Sequence, residues 1–439
     1  MKRHYHSVRR HFSRESFGRH VFTLMSGTVL SQLILFFSSP IITRFYNPEE
    51  FGLFAFFTSS VAIISSLVTG KYELAVALPR LKQNAIKIIF LGVVLALCSN
   101  FVLILLLAMG GSAVVTLLRL DGIPGIIYFL PISAFISSIL VMLNYWMIRN
   151  KDFGVLATSR VMQSGVSIGI QMGLGYLTIG PVGLIWGQLI GQFISAIILI
   201  SGRHLSLFCK NITKLNNASE IKRIIVLGRK YKDFPRHMMI AGMLNRMTTY
   251  APVLIFGWLF TPNVVGFFAL AHRVIQAPMT VIGGSVADVF VQKATELGQS
   301  DPNKLGRKST EMCTLLALVG FLPASGLFFF GPDLFALIFG IGWEEAGIYA
   351  QAMSIYLWMQ FIFSPLARVF FALERQELYQ RLEWIRLGLV LLGTYGGGVF
   401  FSSRGAIISF SIAMAISYLL VGILAFHIIF SKSKSKEKG

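Results

Sequence analysis

Arg246 and Arg273 stand inside apolar stretches of the chain, where a guanidinium needs an anionic partner or a polar cavity. Arg246 lies nine positions past residue 237, where its apolar stretch begins, and Arg273 lies nine past residue 264. If these stretches are helices running in opposite directions, each arginine sits about 13–14 Å from opposite ends at a rise of 1.5 Å per residue. Both then fall near the middle of a hydrocarbon core about 30 Å thick. With His272 beside Arg273, the pair reads as an anion site, because arginine offers a bidentate fork to phosphate. The alternative is that each arginine ties helices together through a terminal carbonyl or Asp288. Two acids, Glu73 and Asp288, occupy near-equivalent places in the two halves of the chain. An intramembrane carboxylate can bind a coupling proton or sodium ion. An interfacial ion pair, such as Lys71 with Glu73, is the plainer reading of the first.

These residues need a membrane around them, and composition supplies it. Of 439 residues 55% are apolar and 13% charged, with a mean hydropathy of +0.70. Soluble domains run about 45–50% apolar and about 25% charged, so a soluble enzyme is excluded. Apolar stretches long enough to span are predicted at 20–42, 51–69, 84–109, 124–147, 155–177 and 181–201. Six more follow at 237–259, 264–290, 312–331, 347–371, 383–402 and 405–430. The fold class is therefore all-α, a polytopic membrane protein with 12 transmembrane helices in two six-helix lobes. The expected organisation is a basic tail at 1–19, an N-lobe at 20–201 and a basic linker at 202–236. A C-lobe at 237–430 and a lysine-rich tail at 431–439 complete it. The basic start is followed by an apolar run without a small-residue cleavage site, which reads as a retained first helix.

A net charge of +20 on a soluble chain suggests nucleic acid, but here its placement matters. With both termini cytoplasmic, 34 of the 39 basic residues fall on inner segments and three, Arg44, Arg119 and Arg404, on outer loops. That asymmetry follows the positive-inside rule and needs no nucleic-acid partner. The remaining two are Arg246 and Arg273.

The halves also share a pattern. Pro48, Gly52, Phe54 and Ala55 recur as Pro262, Gly266, Phe268 and Ala269 at an offset of 214. Arg149, Phe153 and Arg160 are echoed by Arg375, Tyr379 and Arg386 at an offset of 226. Six helices separate the copies, so the repeats are parallel, a known transporter plan with its substrate site between the halves. Gly165, Gly169 and Gly173, and then Gly183, Gly187 and Gly191, predict close packing of the fifth and sixth helices. Cys98, Cys209 and Cys313 lack metal or disulfide spacing, and Gly396 to Gly398 lack the strand–helix context of a nucleotide loop. His4, His6, His11 and His20 are irregularly spaced, and the sequons at Asn211 and Asn217 fall on the expected cytoplasmic linker. No catalytic residues, metal or cofactor are expected, and ATP hydrolysis is improbable without a Walker motif.

Several stretches carry a family resemblance. Arg44 to Phe54 resembles the first outer loop of bacterial polysaccharide flippases, and Gly70 to Pro79 the end of their second helix. Asn144 to Lys151 and Ala157 to Val161 are similar to their fourth-to-fifth-helix region. Gly340 to Ala352, with Trp343, Glu344, Glu345 and Ala346, looks like their tenth-helix start. The family is the O-antigen and exopolysaccharide flippase branch of the multidrug/oligosaccharidyl-lipid/polysaccharide (MOP) exporters. The resemblance implies a MATE-like fold around a cationic cavity in the bacterial inner membrane. It implies a polyprenyl-diphosphate-linked oligosaccharide as substrate, moved by alternating access that draws on an ion gradient. A polysaccharide polymerase and other assembly proteins are the implied partners. Arg246, Arg273 and His272 become candidates for holding the diphosphate, and Glu73 and Asp288 for ion coupling. A cation-coupled drug exporter of the same superfamily and a non-transporting membrane scaffold are the competing readings.

Overall fold

The structure, a computed structural model, describes residues 23, 26–117, 124–201, 206 and 218–437. The segment 1–19 with its histidines, Arg119, Cys209 and the sequons at Asn211 and Asn217 lie outside them. The described residues form helices and turns with no strand. The helices are α1 (Ser26–Phe45), α2 (Pro48–Val68), α3 (Tyr72–Ala75), α4 (Lys82–Leu117), α5 (Leu130–Asn150), α6 (Phe153–Tyr176) and α7 (Pro181–Ile200). Then come α8 (Ala218–Lys230), α9 (Met239–Leu259), α10 (Pro262–Pro278), α11 (Gly284–Ser300) and α12 (Pro302–Phe339). The chain ends with α13 (Glu344–Phe363), α14 (Arg368–Ala372), α15 (Gln376–Phe400) and α16 (Ser403–Glu437). An all-helical chain is what a bilayer demands, because each helix satisfies its own backbone polar groups.

Helix starts are set by local chemistry. Asn47 and Glu50 form a reciprocal capping box: the Asn47 side chain accepts from the Glu50 amide at 2.9 Å, and the Glu50 carboxylate accepts from the Asn47 amide at 3.0 Å. Pro48 and Pro262 occupy first-turn positions, where the missing N–H costs nothing. Asp301 caps α12 by accepting from the Lys304 amide at 3.0 Å.

Among the described residues, seven helices are long and apolar enough to cross a membrane; counting α13 and α14, bent by 40°, as one span makes eight. The helices α6, α9, α10 and α15 are not among those seven. These four carry Arg160, Arg246, Arg273 and Arg386, together with Gln171, His272, Gln276 and Glu383. A helix at 218–230 forms within the segment expected to be a linker. Its apolar residues Ile221, Ile224, Ile225 and Leu227 recur at helical spacing.

The chain divides into two compact units, Met1–Ser38 with Ser60–Met243, and Ser39–Ser59 with Leu244–Gly439. In the first unit, Trp146 and Met147 of α5 are buried among Ala85, Ile88 and Ile89 of α4 and Leu199 of α7. The seam between α6 and α7 departs from the expected pairing of glycine stripes. A Cβ at Gly191 would come within 2.7 Å of the Gln163 carbonyl, and one at Gly187 within 2.7 Å of that of Ser167. Gly165, Gly169 and Gly173 are exposed and face open space. Glycines of α7 alone thus admit α6, which presents Ser167 and Gln171 to the seam. Gln171 donates to the Leu184 carbonyl at 3.0 Å, and Gln192 to Ser137 at 3.2 Å, supplying interhelical polar ties.

Arg149, in the last turn of α5, donates to the carbonyls of Val76 at 3.2 Å, Ala77 at 2.9 Å and Pro79. It thereby satisfies a non-helical stretch that follows α3. Glu220 of α8, outside the spans, pairs with Lys87 near the start of α4 at 2.5 Å, and that ammonium holds the carboxyl below its usual range.

The second unit contains the two copies of the proline–glycine pattern, and they meet. A Cβ on Gly52 would lie 1.8 Å from the Pro262 carbonyl oxygen, and one on Gly266 would lie 1.9 Å from that of Pro48. The contact is reciprocal, so the starts of α2 and α10 cross with local two-fold symmetry at a distance only glycine permits. Trp343 closes over the crossing: its ring packs edge-on against Phe51 at 5.6 Å and Phe267 at 6.1 Å. Its indole N–H donates to the Thr43 carbonyl at 3.2 Å. A second backbone approach, Gly331 to Gly347, brings α12 against α13.

Gly52→Ala and Gly266→Ala are each expected to lower stability by at least about 1–3 kcal/mol through overpacking, read as a lower unfolding temperature in detergent. Arg149→Ala should cost about 1–3 kcal/mol by leaving carbonyls unsatisfied, and Arg149→Lys should recover only part of it in the same measurement.

Candidate functional site

The arginines singled out from the sequence lie on consecutive helices joined by a short turn. Arg246 is 13 residues before Leu259, the last residue of α9, which places it about 20 Å from that end. Arg273 is 11 residues after Pro262, the first of α10, or about 16 Å from the same turn. Measured along their helices, the two lie within about 4 Å of each other in distance from that turn. Near the turn, Phe256 of α9 meets Phe268 of α10 with ring centroids 4.7 Å apart.

Their surroundings differ. Arg246 is exposed, with its guanidinium 5.9 Å from the Tyr250 ring one turn along α9. An aromatic face steadies the cation without neutralising it. Arg273 is half-buried. His272, also half-buried, stacks on Phe268 at 5.6 Å and lies 3.5 Å from the Gln276 side-chain nitrogen. Gln276 in turn forms an amide pair with Gln360 of α13, at 3.0 and 3.3 Å. The buried Tyr356 lies one turn before Gln360 on α13. A polar stripe therefore runs from His272 through Gln276 to α13, and sequence reading missed its glutamines. The spacing of His272, Gln276 and the intervening apolar residues was the available signal.

Glu73 is 2% exposed and lies in α3, past the end of α2. Consecutive left-handed residues, Gly70 with φ 57° and Lys71 with φ 60°, turn the chain so that α3 meets α4 and α5. Thr69 donates to one Glu73 oxygen at 2.5 Å, and the Lys71 ammonium sits 3.4 Å from the other. The carboxylate thus has an internal cation beside it. Asp288 belongs to α11, whose helix continues to Ser300 beyond the end expected at 290. Its side chain lies outside the described residues.

Of the basic residues counted as inner-surface charges, Arg160 and Arg386 sit more than a turn inside their helices and make polar contacts there. Arg160 is seven residues past the start of α6, and its guanidinium donates to the Thr28 hydroxyl of α1 at 2.5 Å. Arg386 is ten residues past the start of α15, pairs with Glu383, and lies 5.8 Å from the Tyr418 ring. Both members of that ion pair are largely buried, with side chains 13% and 14% exposed. Breaking a buried pair by removing one partner typically costs about 3–5 kcal/mol, so Arg386 works as a tie within its unit. The repeat at offset 226 equates these two arginines, and that equivalence was the signal for them.

Among the described residues, no cluster of His, Cys, Asp and Glu has the geometry of a metal site. Cys98 is exposed and Cys313 buried, both as free thiols.

Comparison with known proteins places the chain in context. An inward-facing multidrug resistance MATE family transporter of the MOP superfamily superposes with a TM-score of 0.70 at 15% identity, covering 92% of this chain and 96% of that one. A Vibrio cholerae MATE transporter matches with a TM-score of 0.55 at 13% identity, over 95% and 100% of the two chains. A MOP superfamily transporter from Pyrococcus furiosus, described as having a binding pocket of reverse polarity that suggests a different function, matches at 0.55 and 14%, over 94% of each chain. The chain therefore has the MATE-like fold. A search of curated proteins finds no match. The model of a family described as polysaccharide biosynthesis protein matches residues 41–348, spanning α2 to α12, the glycine crossing and both candidate arginines, and the chain belongs to that family.

Proposed function

We propose that the chain is a flippase that moves polyprenyl-diphosphate-linked oligosaccharide units across the cytoplasmic membrane for polysaccharide synthesis. The observation that carries this reading is the polysaccharide-biosynthesis family match, found on a fold shared with membrane transporters. The cationic character of Arg246 and Arg273 supports a diphosphate as the recognised group, with His272 beside them. Arg246 is suited to first capture, being exposed and held by an aromatic face rather than a carboxylate. In this reading both termini are cytoplasmic, twelve helices span the bilayer, and alternating access carries the headgroup past a central cavity. Glu73 couples transport to an ion only if Lys71 moves away, because the ammonium already occupies that role. Asp288 is the second coupling candidate.

A multidrug exporter is the competing reading. Exporters of cationic drugs need acidic groups at mid-depth, whereas the two residues at shared depth here are positive.

The test is transport in proteoliposomes carrying labelled undecaprenyl-diphosphate oligosaccharide, read as its appearance on the opposite leaflet. Protein-dependent movement is expected, and Arg246→Ala and Arg273→Ala should each slow it about tenfold or more, given about 1.5–3 kcal/mol for a charge-assisted hydrogen bond. Protein-dependent efflux of cationic dyes with no lipid movement would assign the chain to the exporter class instead. Normal lipid transport in both variants would return the arginines to a structural role.

A further inference from the structure

The helix α8 is 13 residues long, about 20 Å, and carries five charged side chains, so it can neither span a bilayer nor hide in one. One side is anchored to the first unit. Ile224 is buried, the Tyr72 hydroxyl donates to the Gly228 carbonyl at 3.0 Å, and Lys87 pairs with Glu220 at 2.5 Å. Gly228 lies against Leu91 of α4, so close that an added Cβ would sit 3.0 Å from it.

The remaining surface is unusual for a solvated helix. Ile221 is 52% exposed, Ile225 48% and Val226 64%. At 100° per residue Ile221 and Ile225 share one strip, and Arg229 and Lys222 border it on the side away from the anchored face. Arg223 is directed back to Glu220 at 2.7 Å, and Lys230 sits over the Tyr231 ring at 5.6 Å. Lys222 and Arg229 are both exposed, beside the apolar strip.

We infer that α8 lies along an anionic phospholipid surface, with Ile221 and Ile225 at the headgroup–acyl boundary and Lys222 and Arg229 on lipid phosphates. An apolar strip edged by cations is what an in-plane helix needs, and each half alone binds weakly. The anchored face fixes the strip's direction, so the helix is held ready rather than folded on contact. The inference concerns binding and stands whether or not the chain proves to be a flippase.

The test uses the full chain with its three cysteines replaced by serine and Ile225→Cys carrying a fluorophore, reconstituted in phosphatidylcholine vesicles with or without phosphatidylglycerol. Iodide quenching should fall roughly twofold or more with phosphatidylglycerol and return at high salt, while headgroup-level nitroxide lipids quench. Lys222→Gln with Arg229→Gln should abolish the phosphatidylglycerol effect without altering the size-exclusion profile. In the unmodified chain, trypsin cleavage after Lys222 and Arg229 should slow severalfold with phosphatidylglycerol, so a misfolded cysteine-free variant does not decide the outcome. Quenching and cleavage that ignore phosphatidylglycerol would overturn the inference. So would protection in detergent that rises with protein concentration, which would assign the strip to a second copy of the chain.

Discussion

The approach of Gly52 to the Pro262 carbonyl, mirrored by Gly266 and the Pro48 carbonyl, is the constraint that organises the second unit. It draws residues 39–59 into that unit although the rest of α1 and α2 belong to the other. It sets Phe51 and Phe267 where one indole can pack on both, and it fixes the turn from which the depths of Arg246 and Arg273 are measured. Backbone atoms meeting backbone atoms gain dispersion contacts and weak C–H···O bonds, and lipid offers no hydrophobic force between helices to compete.

Much of this was legible in the sequence, but not all for the same reason. The apolar stretches marked the helices, because a bilayer leaves backbone no other option. Pro48–Gly52 and Pro262–Gly266 announced a repeat; that its copies touch each other was not legible, since an offset of 214 carries no information about proximity. The glycine stripes were half right. Spacing alone identifies a face that could admit a neighbour, and only the neighbour's position decides whether it does, so Gly187 and Gly191 are used while Gly165, Gly169 and Gly173 are not. The linker was read by its charge, and the charge concealed the apolar spacing of Ile221, Ile224 and Ile225 within it.

The arginines show where reading by type stops. Arg160, Arg386, Arg246 and Arg273 all sit within helices of a mostly apolar chain, yet they meet different fates. Arg386 pairs with Glu383, Arg160 donates to a hydroxyl, and Arg246 lies over an aromatic ring. Position along the helix was legible for each, and Glu383 and Tyr250 lie one turn away on the same helices as Arg386 and Arg246; the Thr28 hydroxyl that meets Arg160 is 132 residues away and had no signal in the spacing. For Glu73 the partner was legible, since Lys71 stands two residues away; the left-handed turn at Gly70 and Lys71 that accompanies the pair was not.

The glycine crossing also constrains how the protein can vary. Both sides of the contact are main chain, so a side chain introduced at either glycine meets an oxygen that no second substitution can shorten or remove. Suppressors of a Gly52 or Gly266 replacement cannot arise at the facing residue, as they do where two side chains share a pocket. They must act by moving a whole helix. A duplicated motif is often taken to give a protein redundancy; here the two copies pack on each other, and duplication has doubled the number of positions at which one change disturbs the same contact.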